Sequence, residues 1–233
     1  MDASGPIRPE ERFDEERAAG YLQEQLPGLL GGSDVVFEQF HGGRANLTYL
    51  VRSGDAEVVL RRPPLGPLAP GSHDMAREYR VLSVLHEAFP EAPRAYHLCT
   101  DPSIIGAEFF VMERRRGHVV RAGWPSELDG SAGFKRQLGD GMIDTLVRLH
   151  SVDYRRIGLG DLGRPDGFLK RQVAGWTDRW ERAKHEDVDA MTELAGRFAE
   201  EIPAPQIDAI LQNDYRFDNG MVAGAGRVEA VFV

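Results

Sequence analysis

Leu211-Gln212-Asn213-Asp214-Tyr215-Arg216-Phe217-Asp218-Asn219 is a polar knot that separates a short apolar run, 207–211, from a β-like run, 228–233. An aspartate just past a strand, with an asparagine five residues later, suits phosphoryl transfer. The aspartate, Asp214, orients and deprotonates an attacking hydroxyl, and the amide oxygen of the asparagine, Asn219, ligates Mg²⁺. Taken singly, Asp and Asn in such a stretch are also ordinary turn formers, and Asp218 reads equally as a turn residue or as an ion-pair partner of Arg216.

Two stretches upstream bear on that choice. His41-Gly42-Gly43-Arg44-Ala45-Asn46 lies between β-prone runs at 35–40 and 47–51. Paired glycines there let the backbone approach a ligand and aim N–H groups at phosphate oxygens, or they simply make a turn. Farther on, Met75, Glu78, Leu82 and Leu85 fall on one face of a helix expected over 74–87. This puts Glu78 inside an apolar stripe, where a carboxylate requires a cation or a strong donor. The strand expected over 57–61 ends at Arg61-Arg62, and either arginine could supply it; a purely structural ion pair is the other reading.

Composition narrows the chemistry. The 233 residues carry 28 Lys+Arg against 37 Asp+Glu, for a formal charge of −9. That balance argues against nucleic acid or an anionic membrane as the partner. One cysteine, Cys99, cannot form an internal disulfide, no run of eighteen apolar residues occurs, and the opening residues lack a secretory layout; a cytoplasmic setting is expected. The first lysine is Lys135, so a cation needed in the first half must be arginine or histidine.

The remaining pattern predicts an α+β chain. A helix over 13–26 is stopped by Pro27-Gly28, and a hairpin turns at Arg52-Ser53-Gly54-Asp55. Residues 62–72 form a loop, short strands follow at 104–105 and 109–112, and helices follow at 134–150, 167–184 and 188–201. The boundary falls near 113–117. Trp176 and Trp180, spaced i, i+4, with Phe168, read as core more readily than as an acceptor pocket, and His150 as a capping or packing residue.

The order of these features resembles the protein-kinase-like fold, and within it the aminoglycoside phosphotransferase-like family. Gly43-Arg44-Ala45-Asn46-Leu47-Thr48-Tyr49-Leu50-Val51 is similar to its nucleotide loop. Val59-Leu60-Arg61-Arg62-Pro63-Pro64 and His73-Asp74-Met75-Ala76-Arg77-Glu78-Tyr79 resemble its third strand and first large helix. Phe110-Val111-Met112-Glu113 followed by Gly117 resembles its hinge, and Asn213-Asp214-Tyr215-Arg216-Phe217-Asp218-Asn219 its catalytic loop. The double-Arg-double-Pro stretch and the Asn-Leu-Thr-Tyr loop point to a subgroup found beside, or fused to, acyl-CoA dehydrogenases.

The resemblance implies a two-lobe molecule, with a nucleotide-binding lobe over 1–113 and a partial helical lobe over 114–233. It implies an ATP- or GTP- and Mg²⁺-dependent kinase acting on a small-molecule hydroxyl, for this subgroup a hydroxyacyl compound. Gly42, Gly43, Arg44, Ala45 and Asn46 would meet the phosphates, Arg61 and Glu78 would clamp them, and backbone groups at Met112, Glu113 and Arg114 would hold the base. Asp214 would be the catalytic base and Asn219 a metal ligand. The departures are Arg61 for the usual lysine, Ala45 for the loop serine and Gln212 for the catalytic-loop histidine. The family's Asp-Trp-Glu metal segment would fall at or beyond Val233. The alternatives expected from that are an inactive, truncated or degenerate member that binds a nucleotide or partner, and an open edge at 228–233 that promotes dimerisation.

Overall fold

A computed structural model describes residues 4–42, 46–67, 73–121, 123–224 and 226–231. The chain separates into two compact units, Met1–Val152 with Leu211–Val233, and Asp153–Ile210. Among the described residues no helix is long and apolar enough to cross a membrane.

The larger unit is built on a six-stranded sheet. Its strands are β1 (Ser4–Gly5), β2 (Val35–Phe40), β3 (Leu47–Ser53), β4 (Ala56–Arg62), β5 (Ala95–Cys99) and β6 (Phe109–Glu113). They lie in the order β1-β2-β3-β4-β6-β5, antiparallel throughout. Successive side chains on a strand point to opposite faces, and both faces of this sheet are covered. Tyr49, Val51, Val58, Leu60, Phe109 and Val111 pack in one cluster with Ala18 and Leu22 of helix α1 (Glu15–Gln25). The intervening Val59, Phe110 and Met112 are also buried, and α3 (Met75–Leu85) packs along β5 and β6.

Local chemistry sets the helix ends. Asp14 caps α1 by accepting from the Arg17 N–H at 3.0 Å, and Asp74 caps α3 by accepting from the Arg77 N–H at 2.9 Å; both are aspartates at the N-cap. Pro27, expected to stop the first helix, also opens a single further turn, α2 (Pro27–Leu30), where a proline lacks no needed donor. The β3–β4 hairpin turns at Gly54, which has φ 57° and thus the left-handed conformation that glycine adopts without cost.

Three strand expectations change. Residues 207–211, read as a strand ahead of Asp214, form none. Residues 104–105 form a turn, closed by the Gly106 N–H donating to Pro102 O at 2.7 Å, with Gly106 at φ 84°. The strand beside β6 is instead β5, whose register shifts between Ala95 and His97. Its sequence, Ala-Tyr-His-Leu-Cys, has no apolar alternation, so pairing with β6 rather than periodicity defines it. The apolar character of Ile105 has a different use: its side chain joins the α1-side core.

Arg62 is 2% exposed and lies on that same α1 face. Its Nη1 donates to Ile105 O and its Nη2 to Glu11 O, both at 2.7 Å. The guanidinium lies 5.5 Å from the ring centres of both Phe13 and Tyr49. One cation thus ties the N-terminal segment and the 101–106 turn to the sheet.

In the second part of the chain α4 (Ala132–His150) is capped by Ser131, which accepts from the Phe134 N–H at 3.2 Å. β7 (Gly220–Val222) and β8 (Val228–Val231) form a separate hairpin. Helices α5 (Phe168–Ala183) and α6 (Asp189–Glu200) make up most of the smaller unit. The reading of Trp176 as core is corrected: it is 64% exposed, with the Arg179 guanidinium 4.7 Å over its ring. Helical spacing put it on one face with Trp180, but α5 contains no buried residue.

Arg62→Met is expected to leave the Ile105 carbonyl without its Arg62 donor and the Glu11 carbonyl with the Tyr49 hydroxyl alone, at 3.1 Å, and to lower the unfolding free energy by about 1–3 kcal/mol in urea titration. Arg62→Lys is expected to recover only part of this, because one ammonium does not reproduce the planar fork that reaches both oxygens.

Candidate active site

The end of β4 separates the two arginines that the sequence left interchangeable. Arg61 lies on the face opposite Arg62, paired in register with Thr48 and Phe110. Its Nε is 2.9 Å from Glu78 Oε2, and the two side chains are 19% and 17% exposed. Glu78 sits in the first turn of α3, where the positive end of the helix favours a carboxylate.

Glu78 is held from a second side. Asn46 Nδ2 donates to Glu78 Oε1 at 3.0 Å, and Asn46 Oδ1 lies 2.6 Å from His73 Nδ1. Burial pushes the Glu78 carboxyl above its ordinary value of 4.5, and the Arg61 charge, the Asn46 hydrogen bond and the nearby His73 act against that shift. His73 is the residue that sequence reasoning missed. It stands next to the α3 cap and one helical turn before the buried glutamate, a placement that could have marked it.

The glycine turn is described in part. Residues 43–45, and with them the expectations on Gly43, Arg44 and Ala45, lie outside the described residues. Gly42 is in close contact with the Arg121 guanidinium: a Cβ at Gly42 would stand 2.7–2.9 Å from it. At the hinge, the Glu113 N–H donates to Arg94 O at 2.8 Å. The Glu113 carboxylate accepts from the Arg94 N–H at 3.2 Å and pairs with Arg115 at 3.0 Å. Met112 is 5% exposed, and the Arg114 guanidinium lies 4.5 Å over the Phe40 ring. The Glu113 amide and carboxylate are therefore engaged within the protein.

The catalytic-loop stretch is a compact turn. Gln212 Oε1 accepts from the Asp214 N–H at 2.8 Å. Asn219 Nδ2 donates to Asp214 O at 2.9 Å and to Asp214 Oδ2 at 2.7 Å. Arg216 Nε lies 3.3 Å from Asp214 Oδ1 and 2.8 Å from Asp218 Oδ1, so Asp218 is indeed an ion-pair partner of Arg216. Tyr215 anchors the loop to α4 by donating to Met142 O at 2.7 Å, and burial pushes its phenol up to about 12. Behind it, β7 is tied at Val222 to His118 by two backbone bonds of 2.9 Å. Gly117 leaves room for this approach, since a Cβ there would meet Met221 Cβ at 2.9 Å. A groove of about 470 Å³ runs along α4 beside Arg227 and Val228, lined by Arg136, Asp140, Asp144 and Arg148; none of the candidate residues lines it.

These donors suit a nucleotide better than an isolated metal ion. Arg61 and Glu78 form a partly buried charged pair beside a glycine turn, an arrangement that can take phosphate oxygens bidentately. Asn219, with its amide nitrogen engaged on Asp214, contributes a single neutral oxygen. Among the described residues no group of three or more His, Cys, Asp or Glu side chains gathers for a metal. A hard, strongly hydrated Mg²⁺ is not held by one amide oxygen alone.

An antiparallel sheet carrying a strand arginine paired to a helix glutamate, followed by a helical region with an Asp/Asn loop and a β-hairpin, defines a kinase-like α+β protein. The model of the phosphotransferase enzyme family, APH, matches residues 36–232, and the chain belongs to that family. Acyl-CoA dehydrogenase family member 11 of Gallus gallus is 35% identical over 218 residues, covering 91% of this chain and 27% of the relative. The chain thus spans about a quarter of the length of that relative. A crystal structure from Ralstonia eutropha JMP134, assigned to the aminoglycoside phosphotransferases, is 31% identical with a TM-score of 0.80, covering 95% of this chain and 64% of that one. A ternary complex of a thermostable mutant of the aminoglycoside phosphotransferase APH(4)-Ia with ADP and hygromycin B shares the fold at TM-score 0.59 and 14% identity, over 92% of this chain and 69% of that one.

Because folding raises the Glu78 pKa, Glu78 favours the folded state most below about pH 4.5, and that contribution is lost as pH climbs through the raised folded value. Glu78→Gln is expected to remove this slope from the stability–pH profile. At pH 7 its unfolding free energy is expected to fall by about 1–3 kcal/mol, since the amide leaves the partly buried Arg61 without its compensating charge. Denaturant titrations of both proteins from pH 4 to 8 check this.

Proposed function

We propose that this chain carries the phosphotransferase centre of a small-molecule kinase, moving the γ-phosphoryl group of ATP to a hydroxyl of its acceptor. The observation that carries the reading is the orientation of Asp214. Its carboxylate is gripped by Asn219 Nδ2 at 2.7 Å and Arg216 Nε at 3.3 Å, on a loop that Tyr215 fastens to α4. A carboxylate fixed in this way can orient an acceptor hydroxyl and take its proton as the oxygen attacks phosphorus. The new O–P bond forms as the bond between the β-phosphate oxygen and the γ-phosphorus breaks, and ADP leaves.

In this reading residues 1–113 form the nucleotide lobe and 114–233 carry the catalytic loop. Arg61, positioned by Glu78, binds the phosphates, helped by backbone N–H groups of the turn that begins at Gly42 and by Asn46. The hinge around Met112–Arg114 receives the base through backbone groups other than the engaged Glu113 N–H. Mg²⁺ bound with ATP would neutralise charge on the phosphates, and Asn219 Oδ1 would be one of the protein oxygens that hold it.

The names of the relatives support a hydroxyacyl acceptor. The proteins most like this chain in sequence include an acyl-CoA dehydrogenase family member, and a kinase acting on hydroxyacyl compounds fits such a companion. The ADP and hygromycin B found in a neighbour of the same fold support a nucleotide donor and leave an aminoglycoside as the second acceptor class to test.

Transfer from radiolabelled ATP to hydroxyacyl and aminoglycoside acceptors tests the proposal. Asp214→Asn is expected to lower turnover by about 10²–10⁴-fold while leaving the dissociation constant for ATP within about twofold of wild type. Equal turnover in the two proteins would overturn the assignment of Asp214.

A further inference from the structure

His73 occupies an unusual position. Among the described residues it is the one non-glycine with positive φ, at 55°, a left-handed conformation that costs a non-glycine residue energy, although histidine adopts it more often than most. Its neighbour Asp74 already caps α3, so His73 is not needed to start the helix. What the strained backbone achieves is to bring His73 Nδ1 to 2.6 Å from Asn46 Oδ1.

The hydrogen-bond logic of that contact runs one way. Asn46 is 8% exposed, and its Nδ2 donates to the Glu78 carboxylate. Its Oδ1 must therefore act as an acceptor, which requires the proton of the His73 ring to sit on Nδ1. The reversed amide would set Oδ1 against a carboxylate oxygen. His73 thus selects one orientation of the Asn46 amide, Asn46 turns an N–H toward Glu78 Oε1, and Glu78 presents its other oxygen to Arg61 at 2.9 Å. Four side chains, from the residue before β3, the end of β4, the residue before the α3 cap and the first turn of α3, form one directed chain.

We propose that His73 is a positioning residue that locks Asn46, the residue before β3, to α3, so that Asn46 and the Arg61–Glu78 pair present themselves to nucleotide phosphates as one preorganised unit. The inference rests on the nucleotide reading above for its ligand, but the His73–Asn46 lock itself exists without ligand and can be read separately. A merely structural histidine would predict that stability and nucleotide affinity fall together when it is removed. A strained positioning residue predicts that they separate.

The discriminating substitutions are His73→Gly and His73→Asn. Glycine relaxes the backbone at φ 55° and removes the donor. Asparagine tolerates the same conformation and carries an amide N–H near the place of Nδ1. His73→Gly is expected to melt at or above the wild-type temperature yet to bind a non-hydrolysable MgATP analogue about five- to tenfold more weakly by calorimetry. His73→Asn is expected to bind within about twofold of wild type. In the free proteins, the Asn46 side-chain amide should give a resolved, slowly exchanging pair of NH₂ resonances in wild type and His73→Asn, and an averaged, fast-exchanging pair in His73→Gly.

Glycine and wild-type proteins with equal affinity and identical Asn46 resonances would overturn the proposal. So would a His73→Gly protein that loses stability in step with affinity. If wild type bound no nucleotide, the nucleotide reading would fail, and the Asn46 resonances alone would decide whether the lock is present.

Discussion

Two adjacent arginines at the end of one β-strand must go to opposite faces of the sheet, and the rest of the larger unit is arranged around satisfying both. Arg62 enters the α1-side core, where two carbonyl oxygens and two aromatic rings surround it. Arg61 emerges on the other face against the Glu78 carboxylate. A cation taken out of water requires fixed partners, so each arginine dictates the path of a distant segment. For Arg62 these are residues near Glu11 and the turn at Ile105; for Arg61, it is the first turn of α3. A one-residue slip of β4 would exchange these roles and leave an apolar cluster facing a carboxylate.

On the Arg61 face the partners continue outward through Asn46 to His73. Asn46, the residue before β3, is thereby fastened to a helix. The catalytic-loop stretch obeys the same rule: Asp214, Arg216, Asp218 and Asn219 satisfy one another within a few residues, and Tyr215 fixes the whole turn to α4. In both places short polar segments are kept in one conformation by hydrogen bonds to regular elements, which is how a binding or catalytic group is preorganised without a rigid core beneath it.

Much of this was legible in the residues. The helix stripe containing Glu78, the paired glycines between strands and the Asp–Asn spacing of five each named a site element, and their order along the chain pointed to the family. Elements whose edges carry strong local signals, such as aspartate N-caps and the Gly54 turn, also fell close to their expected places. The misplaced pieces were those that local chemistry does not define. β5 lacks alternation and exists because β6 offers it a partner, whereas Ile104 and Ile105 look β-prone but lie in a turn because Gly106 and Pro102 close it. The tryptophans of α5 have core-like spacing but stand on a helix without a buried residue.

By itself the sequence determined the order of the elements that carry the site, the demand for a cation near a striped glutamate, and the absence of lysine from the first half. Those are properties of composition and spacing, which the chain carries wherever it folds. Which arginine meets Glu78, that Asn46 and His73 complete the chain of partners, and that Asn219 grips Asp214 were decided only in the tertiary structure. The reason is that strand parity, register and the direction of a hydrogen bond depend on which segment lies opposite, and residues far apart in sequence hold no record of that until the sheet and helix have packed.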